Sequence, residues 1–117
     1  MFTSDVTFPG VRVSQDNISF DNENMRGKVD EKVIELYKDR AFKSIFIGHQ
    51  KKYLGTILSD IAANFQAPKT LDLDLFYDFE DLALNAALIR KTFEKWSEKD
   101  VEVIFRCSST VLKTFKL

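Results

Sequence analysis

Acidic residues are concentrated in the run "LDLDLFYDFEDLALNAAL", residues 71–88. Its acids are Asp72, Asp74, Asp78, Glu80 and Asp81. Closely spaced carboxylates serve proteins as calcium ligands, as magnesium ligands or as acid–base groups. A calcium-binding EF-hand loop that started at Asp72 would place Phe76 where an oxygen ligand is required and Tyr77 where a glycine is required. The run therefore does not predict an EF-hand site.

A magnesium-dependent pair of aspartates, as in phosphatases and phosphotransfer proteins, is the other chemistry that this run suggests. Such a pair belongs at the carboxyl end of a buried strand. Asp72 and Asp74 instead alternate with Leu71, Leu73 and Leu75, which predicts that both acids lie within a strand, on its solvated face. We therefore expect no metal ion, no cofactor and no enzymatic activity, and a phosphotransfer enzyme using Asp72 and Asp74 is kept as a third hypothesis.

Nucleophilic catalysis would need a base beside a cysteine or serine. His49 is the one histidine and follows Gly48 at the end of a predicted strand, where α/β proteins often place functional groups. Cys107 ends an apolar run and is predicted to be buried. Lys51 and Lys52 in "GHQKKY" stand near a predicted helix N-terminus that could bind an anion, but no glycine-rich phosphate loop is present. The sequence predicts no catalytic set.

Hydrophobic periodicity predicts alternating strands and helices that would position these residues. Strands are predicted near 11–20 (a pair or a bent strand), 42–47, 71–76 and 101–105. Helices are predicted at about 24–39, 50–65 and 81–100, with a short last helix capped by Ser108 or Ser109 and running through Val111, Leu112 and Phe115. The order β-β-α-β-α-β-α-β-α indicates a single layered α/β domain over residues 1–117, with a mixed, mostly parallel sheet and helices mainly on one face.

The third predicted helix begins at the acidic run. Asp78 is expected to cap it with Asp81 at the third helical position, because carboxylates are favourable at a helix N-terminus. The "FDNEN" run supplies cap candidates for the first helix in the same way. The buried side of the third helix is predicted to carry Leu82, Ala86, Ile89, Phe93 and Trp96. Its solvated side, which suggests no particular partner, is predicted to carry Arg90, Lys91, Glu94, Lys95 and Glu98.

Composition limits the classes of function. With 44% hydrophobic residues and 30% charged residues in 117, the chain can bury the core of one globular domain. Its 17 basic and 18 acidic residues create no general attraction for nucleic acid. The sequence contains no signal-peptide pattern and no membrane span, and its single cysteine suits a reducing compartment, so a cytoplasmic location is expected.

Three segments resemble the STAS domain, found in anti-sigma-factor antagonists and in the cytoplasmic tails of sulphate permeases. "TLDLDLFYDFEDLALNAALI" is similar to the strand, turn and helix of that family, and "VEVIFRCSSTVLKTF" to its last strand and terminal helix. "FPGVRV" and "ISFDNENMRGKV" resemble the permease-type opening, while residues 41–69 have no counterpart. In the family's turn, Asp81 stands at the position of the phosphorylatable serine and Ala83 at that of the glycine.

The resemblance implies a non-catalytic regulatory domain, from or related to an anion transporter such as a sulphate permease, that binds a protein partner through the loop and helix of residues 77–90. The expected binding residues are Asp78, Glu80, Asp81, Leu82 and Asn85. The alternative is a small α/β binding protein such as a toxin-neutralising immunity protein, which would use the same acidic edge to cover a basic active site.

Overall fold

The computed structural model describes residues 8–21, 28–48, 54–74 and 79–117. Its strands are β1 (Val11–Val13), β2 (Asn17–Asp21), β3 (Ser44–Gly48), β4 (Thr70–Asp74), β5 (Glu102–Cys107) and β6 (Thr110–Lys116). Its helices are α1 (Glu31–Tyr37), α2 (Leu54–Asn64) and α3 (Phe79–Thr92), and a short 3₁₀ turn follows at Glu94–Trp96.

The six strands form one sheet in sequential order, β1-β2-β3-β4-β5-β6. The pairings of β2 with β3, β3 with β4 and β4 with β5 are parallel, whereas β1 and β6 are antiparallel to their neighbours at the two edges. Each parallel pairing needs a crossover helix, which α1, α2 and α3 supply in turn. The predicted class, an α/β domain with a mixed and mostly parallel sheet, is confirmed.

Two rows of apolar side chains cross the sheet at its centre. The strand register aligns Ile18, Ile45, Leu71 and Val103 in one row and Phe20, Ile47, Leu73 and Phe105 in the next. All eight side chains are fully buried. Because alternate residues of a strand point to opposite faces, the period-2 pattern of the sequence is sufficient to place both rows on one face.

The helices cover this apolar face. Right-handed crossovers between strands that follow one another in a single direction place every crossover helix on the same side of a sheet. Their buried residues include Val33 of α1, Ile61 of α2 and Ile89 of α3. The opposite face stays partly open, with Ser19, Phe46, Asp72 and Ile104 aligned across four strands and all half-buried.

Helix α1 is shorter than the predicted helix of 24–39. Residues 28–30 are not helical, and Asp30, not a residue of "FDNEN", is the N-cap, accepting a hydrogen bond from the backbone N–H of Lys32 at 2.8 Å. Val29 is buried and its backbone N–H donates to Oδ2 of Asp60 in α2 at 2.9 Å. This tertiary hydrogen bond holds Val29 outside the helix. Residues 22–27, where the predicted helix would start, lie outside the described part of the chain.

The predicted terminal helix is wrong, because residues 110–116 form strand β6, which pairs with β5 in an antiparallel hairpin. Ser108 and Ser109 form its two-residue turn, both with positive φ (48° and 71°), as a type I′ hairpin turn requires. A β-bulge shifts the register: Phe105 pairs with Lys113 and Arg106 with Val111, so Leu112 is the extra residue. The three-residue spacing of Leu112 and Phe115 therefore reflects a bulged strand.

The other two helices agree with the prediction except at their ends. Helix α2 spans Leu54–Asn64 against a predicted 50–65, of which 50–53 lie outside the described residues. Helix α3 ends at Thr92, and residues 97–100 form turns where helix was predicted. None of the helices in the described ranges has the length and hydropathy needed to span a membrane.

Candidate functional site

The predicted partner-binding edge, residues 77–90, coincides for most of its length with helix α3. The helix begins at Phe79, directly after Asp78, where the capping pattern predicted a start. Asp78 itself lies outside the described residues, as do the side chains of Glu80 and Asp81, whose backbone forms the first turn of α3. The capping contacts of Asp78 and Asp81 remain predictions.

The two remaining predicted binding residues, Leu82 and Asn85, are not fully exposed. Leu82 is only 9% exposed and belongs to the hydrophobic core. Asn85 is half-buried and makes a contact of its own. Both residues can position α3, but neither offers a large free surface.

The free apolar surface of α3 lies on the side opposite its buried face. Leu84 is 73% exposed and Leu88, one turn later, is 38% exposed. With 3.6 residues per turn, Leu84, Leu88 and Lys91 fall within a sector of about 60°. We call these three residues the outer stripe of α3. The sequence pattern predicts Lys91 on the solvated side but does not single out Leu84 and Leu88, although two leucines out of phase with Leu82, Ala86 and Ile89 are a visible signal.

A groove runs beside this stripe, between α2 and α3. Its main cavity, of about 500 Å³, is lined by Ser59, Ala62, Ala63, Leu88, Lys91, Thr92 and Lys95. A second cavity of about 380 Å³ shares Lys95 and is lined further by Gln66, Ala67, Trp96 and Lys99. We call the two together the α2–α3 groove. Its lining combines small or apolar side chains with three lysines and contains no acidic residue among the described lining residues.

The lysines of the groove carry charge that no described residue neutralises through an ion pair. Lys91, Lys95 and Lys99 are exposed, and within the described part of the chain none of them forms an ion pair. The nearby acids Glu94 and Glu98 are exposed and do not line the groove. The predicted solvated face is therefore divided in two, a basic groove on one flank and Arg90 on the other.

Arg90 is not simply solvated. Its guanidinium lies over the ring of Phe115, with Cζ 4.4 Å from the ring centroid, and its Nη1 donates to the carbonyl oxygen of Lys116 at 3.3 Å. Since both partners belong to β6, Arg90 joins α3 to the edge strand. This contact depends on strand β6, for which the sequence pattern predicted a helix.

Asp72 was expected to be solvated and is instead bound by a charged partner. Nε of Arg106 donates to both of its carboxylate oxygens, at 2.9 and 3.0 Å, and both side chains are largely shielded from water. Arg106 also donates from Nη1 to the carbonyl oxygen of Ser109 at 3.2 Å. The carboxylate of Asp72 therefore stabilises the β4–β5 pair and the hairpin turn.

Asp74 departs further from the prediction, because it is 6% exposed. Its Oδ2 accepts the backbone N–H of Ser109 at 3.0 Å, while its buried Oδ1 has no hydrogen-bond partner among the described residues. The hairpin turn reaches across β5 to make this contact, so the expected solvated face is covered at its end by the chain itself.

The described residues offer little else for catalysis. No group of three or more His, Cys, Asp or Glu side chains within the described ranges is arranged to hold a metal ion. His49 lies outside those ranges, and Cys107 is half-buried where burial was predicted. The features of the described residues that combine apolar surface with the predicted edge are the outer stripe of α3 and the α2–α3 groove. Two further cavities, of about 550 and 310 Å³, lie away from α3 and share Lys69 and Lys99 in their lining.

Comparison with known proteins does not add to this geometry. Neither the family models, nor the curated proteins, nor the solved structures with which the chain was compared gave a match.

Proposed function

We propose that this chain is a non-catalytic interaction domain of STAS type, and that it binds a protein partner through α3. The observation that carries the proposal is the exposure of Leu84 (73%) and Leu88 (38%) on the helix that the STAS resemblance assigns to partner recognition. Full burial of a leucine side chain contributes about 1.5 to 3 kcal/mol, so covering both would be a substantial part of a micromolar affinity.

The position of these leucines beside a groove distinguishes them from scattered surface leucines, which are normal in soluble proteins. Leu88 lines the α2–α3 groove and Leu84 precedes it by one turn on the same stripe. Leu36 of α1, 55% exposed, is an exposed leucine that lines none of these cavities, and it serves as a matched control.

The STAS assignment draws its support from the segment of Leu71–Trp96, which supplies a parallel strand, α3 and the 3₁₀ turn. The terminal helix implied by the resemblance is replaced by β6, so that part of the likeness is lost. Because Asp81 stands at the family's phosphorylatable position, we expect a permanent negative charge there, and partner binding that needs no kinase.

The immunity-protein alternative requires an acidic surface that can cover a basic active site. The two described acids of the acidic run, Asp72 and Asp74, are engaged by Arg106 and by the Ser109 backbone. The described second half of α3 and the turns after it contribute Lys91, Lys95 and Lys99 to the groove instead. The acids on which this alternative depends, Asp78, Glu80 and Asp81, lie outside the described side chains, so it rests on the sequence alone.

Affinity capture from a lysate of the producing cells tests the proposal. The immobilised chain should retain a specific partner, the Leu84→Glu/Leu88→Glu variant should lose it, and the Leu36→Glu variant should keep it. Circular dichroism would verify that all three chains are folded. Equal retention of the partner by the α3 variant would refute the use of α3 as the binding surface.

The Asp81→Lys variant tests the acidic end of the same surface. We expect it to weaken capture, because it reverses the charge at the start of α3, and we expect Asp81→Ser to change only stability, modestly. Retention of the same partner by wild type and Asp81→Lys to an equal extent would remove this end of the helix from the recognition surface.

A further inference from the structure

We propose that the α2–α3 groove binds an acidic amphipathic helix contributed by the partner protein. This inference rests on the proposed function and specifies the chemistry of the partner. It follows from the shape of the groove, from its apolar lining and from the charge along its rim, which are independent properties of the described residues.

The shape favours a helix. The main cavity of the groove lies between α2 and α3, where a third helix can pack its side chains between theirs, and the second cavity continues past the ends of both helices. On the α2 side it is lined by Ser59, Ala62 and Ala63, whose short side chains leave room for a helix to approach. On the α3 side Leu88 supplies an apolar contact, and Thr92 completes the wall.

The lysines of the groove favour a partner that carries negative charge. Lys91 and Lys95 line the main cavity and Lys95 and Lys99 line the second, so positive charge borders both parts of the groove. Because they form no ion pairs within the described ranges, carboxylates of a ligand would be their first charged partners. A helix with leucines on one face and glutamates beside them would match the apolar lining with its leucines and the lysines of the rim with its glutamates.

Trp96, which is 3% exposed, borders the second cavity and offers a fluorescence signal at that end of the groove. It is the only tryptophan in the chain, it lines the second cavity beside Lys95 and Lys99, and it stacks on Phe93 with ring centroids 4.5 Å apart. A peptide without tryptophan that enters the groove should therefore change the fluorescence of Trp96. Peptides bound elsewhere on the domain should leave that signal unchanged.

The experiment uses a display library of amphipathic helices of about 15 residues, a length at which isolated helices begin to form. Three equal pools share leucines on one face and carry glutamate, glutamine or lysine on the flanks. Selection against the immobilised full chain should enrich the glutamate pool, and the selected peptides, synthesised without tryptophan, should change Trp96 fluorescence on binding.

Charge reversal identifies the surface. Lys91→Glu/Lys95→Glu should lower the affinity of the selected peptides about tenfold, which corresponds to about 1.4 kcal/mol, and should turn selection towards the lysine pool. Enrichment of peptides from the lysine pool by this variant would show that the variant is folded. The control Lys32→Glu/Lys38→Glu, at exposed positions of α1 and its C-cap, should leave affinity within about twofold.

Several results would overturn the inference. Equal enrichment of the three pools, or unchanged affinity in Lys91→Glu/Lys95→Glu, would exclude recognition of acidic helices. Self-association of the chain that Leu88→Glu abolishes would assign the groove to a second copy. Binding of anionic vesicles or single-stranded DNA that the double lysine variant abolishes, with no peptide selected, would assign the lysines to another ligand. If the lysine variant retains the captured partner but Leu84→Glu/Leu88→Glu loses it, the proposed function stands and only the acidic helix fails.

Discussion

The backbone N–H of Ser109 donates to Oδ2 of Asp74 across 3.0 Å, so the turn of the β5–β6 hairpin is hydrogen-bonded to the end of β4. The two residues are 35 positions apart in the chain and are separated in the sheet by β5. This contact and the Arg106–Asp72 pair account for the two strand aspartates, whose spacing first suggested chemistry. In this structure both carboxylates accept hydrogen bonds from residues of the β5–β6 hairpin.

Removal of the Asp74 carboxylate should loosen the hairpin turn more than it lowers the free energy of unfolding of the whole domain. In Asp74→Ala the lost hydrogen bond costs about 0.5 to 1.5 kcal/mol, while removal of the buried unpartnered Oδ1 is favourable by about 1 to 3 kcal/mol. We expect faster amide exchange at Ser109, measured by NMR, with the free energy of unfolding lowered by no more than about 0.5 kcal/mol. A loss of 2 kcal/mol in denaturant titration would show that Oδ1 is satisfied after all.

The hairpin turn should be improved by residues that accept positive φ. Ser108 (φ 48°) and Ser109 (φ 71°) both lie in the left-handed region, which is strained for most side chains. The double change Ser108→Asn/Ser109→Gly supplies the preferred type I′ pair and should raise the free energy of unfolding by about 0.5 to 1 kcal/mol. The double change Ser108→Val/Ser109→Val, which puts β-branched residues at both positions, should lower the free energy of unfolding. Thermal and urea unfolding would measure both, and stabilisation by the valines would contradict this turn geometry.

The Asp72–Arg106 pair should show measurable coupling, because Nε contacts both carboxylate oxygens and the pair is largely shielded. A double-mutant cycle of Asp72→Asn and Arg106→Met should give a coupling energy of about 1 kcal/mol, reduced in high salt. The exposed pair Lys116–Asp100, at 3.3 Å, is the comparison and should couple more weakly. Equal coupling in the two cycles would mean that shielding contributes nothing at Asp72.

Two glycines should respond to alanine with opposite signs. A Cβ on Gly48 would lie 2.9 Å from Cε1 of Phe46, so Gly48→Ala must displace that ring and should cost about 1 to 2 kcal/mol. A Cβ on Gly55, in helix α2, would meet no atom of the described residues within 4 Å, so Gly55→Ala should stabilise by about 0.5 kcal/mol. Chemical denaturation measures both. Phe46→Leu/Gly48→Ala should recover much of the loss, and its failure to do so would place the strain elsewhere.

The sequence alone was sufficient for the centre of the fold. The alternation in "LDLDL" and the apolar runs around Ile45 and Val103 determined which strand faces are buried, since that pattern depends on period alone. The buried side of α3 was determined in the same way by Leu82, Ala86, Ile89 and Phe93. The location of the candidate surface on residues 77–90 also came from sequence, through a family resemblance, and its role in binding remains a prediction.

Tertiary contacts decided what local pattern could not. The bulge at Leu112 gave strand β6 a helix-like spacing, and the hydrogen bond from Val29 to Asp60 moved the start of α1. The hairpin turn buried Asp74, and the packing of α2 beside α3 created the groove that Lys95 lines. The bulge belongs to a local hairpin, but the other three depend on residues distant in sequence. Such contacts form only when the sheet and its helices are assembled, which a local hydrophobic period cannot encode.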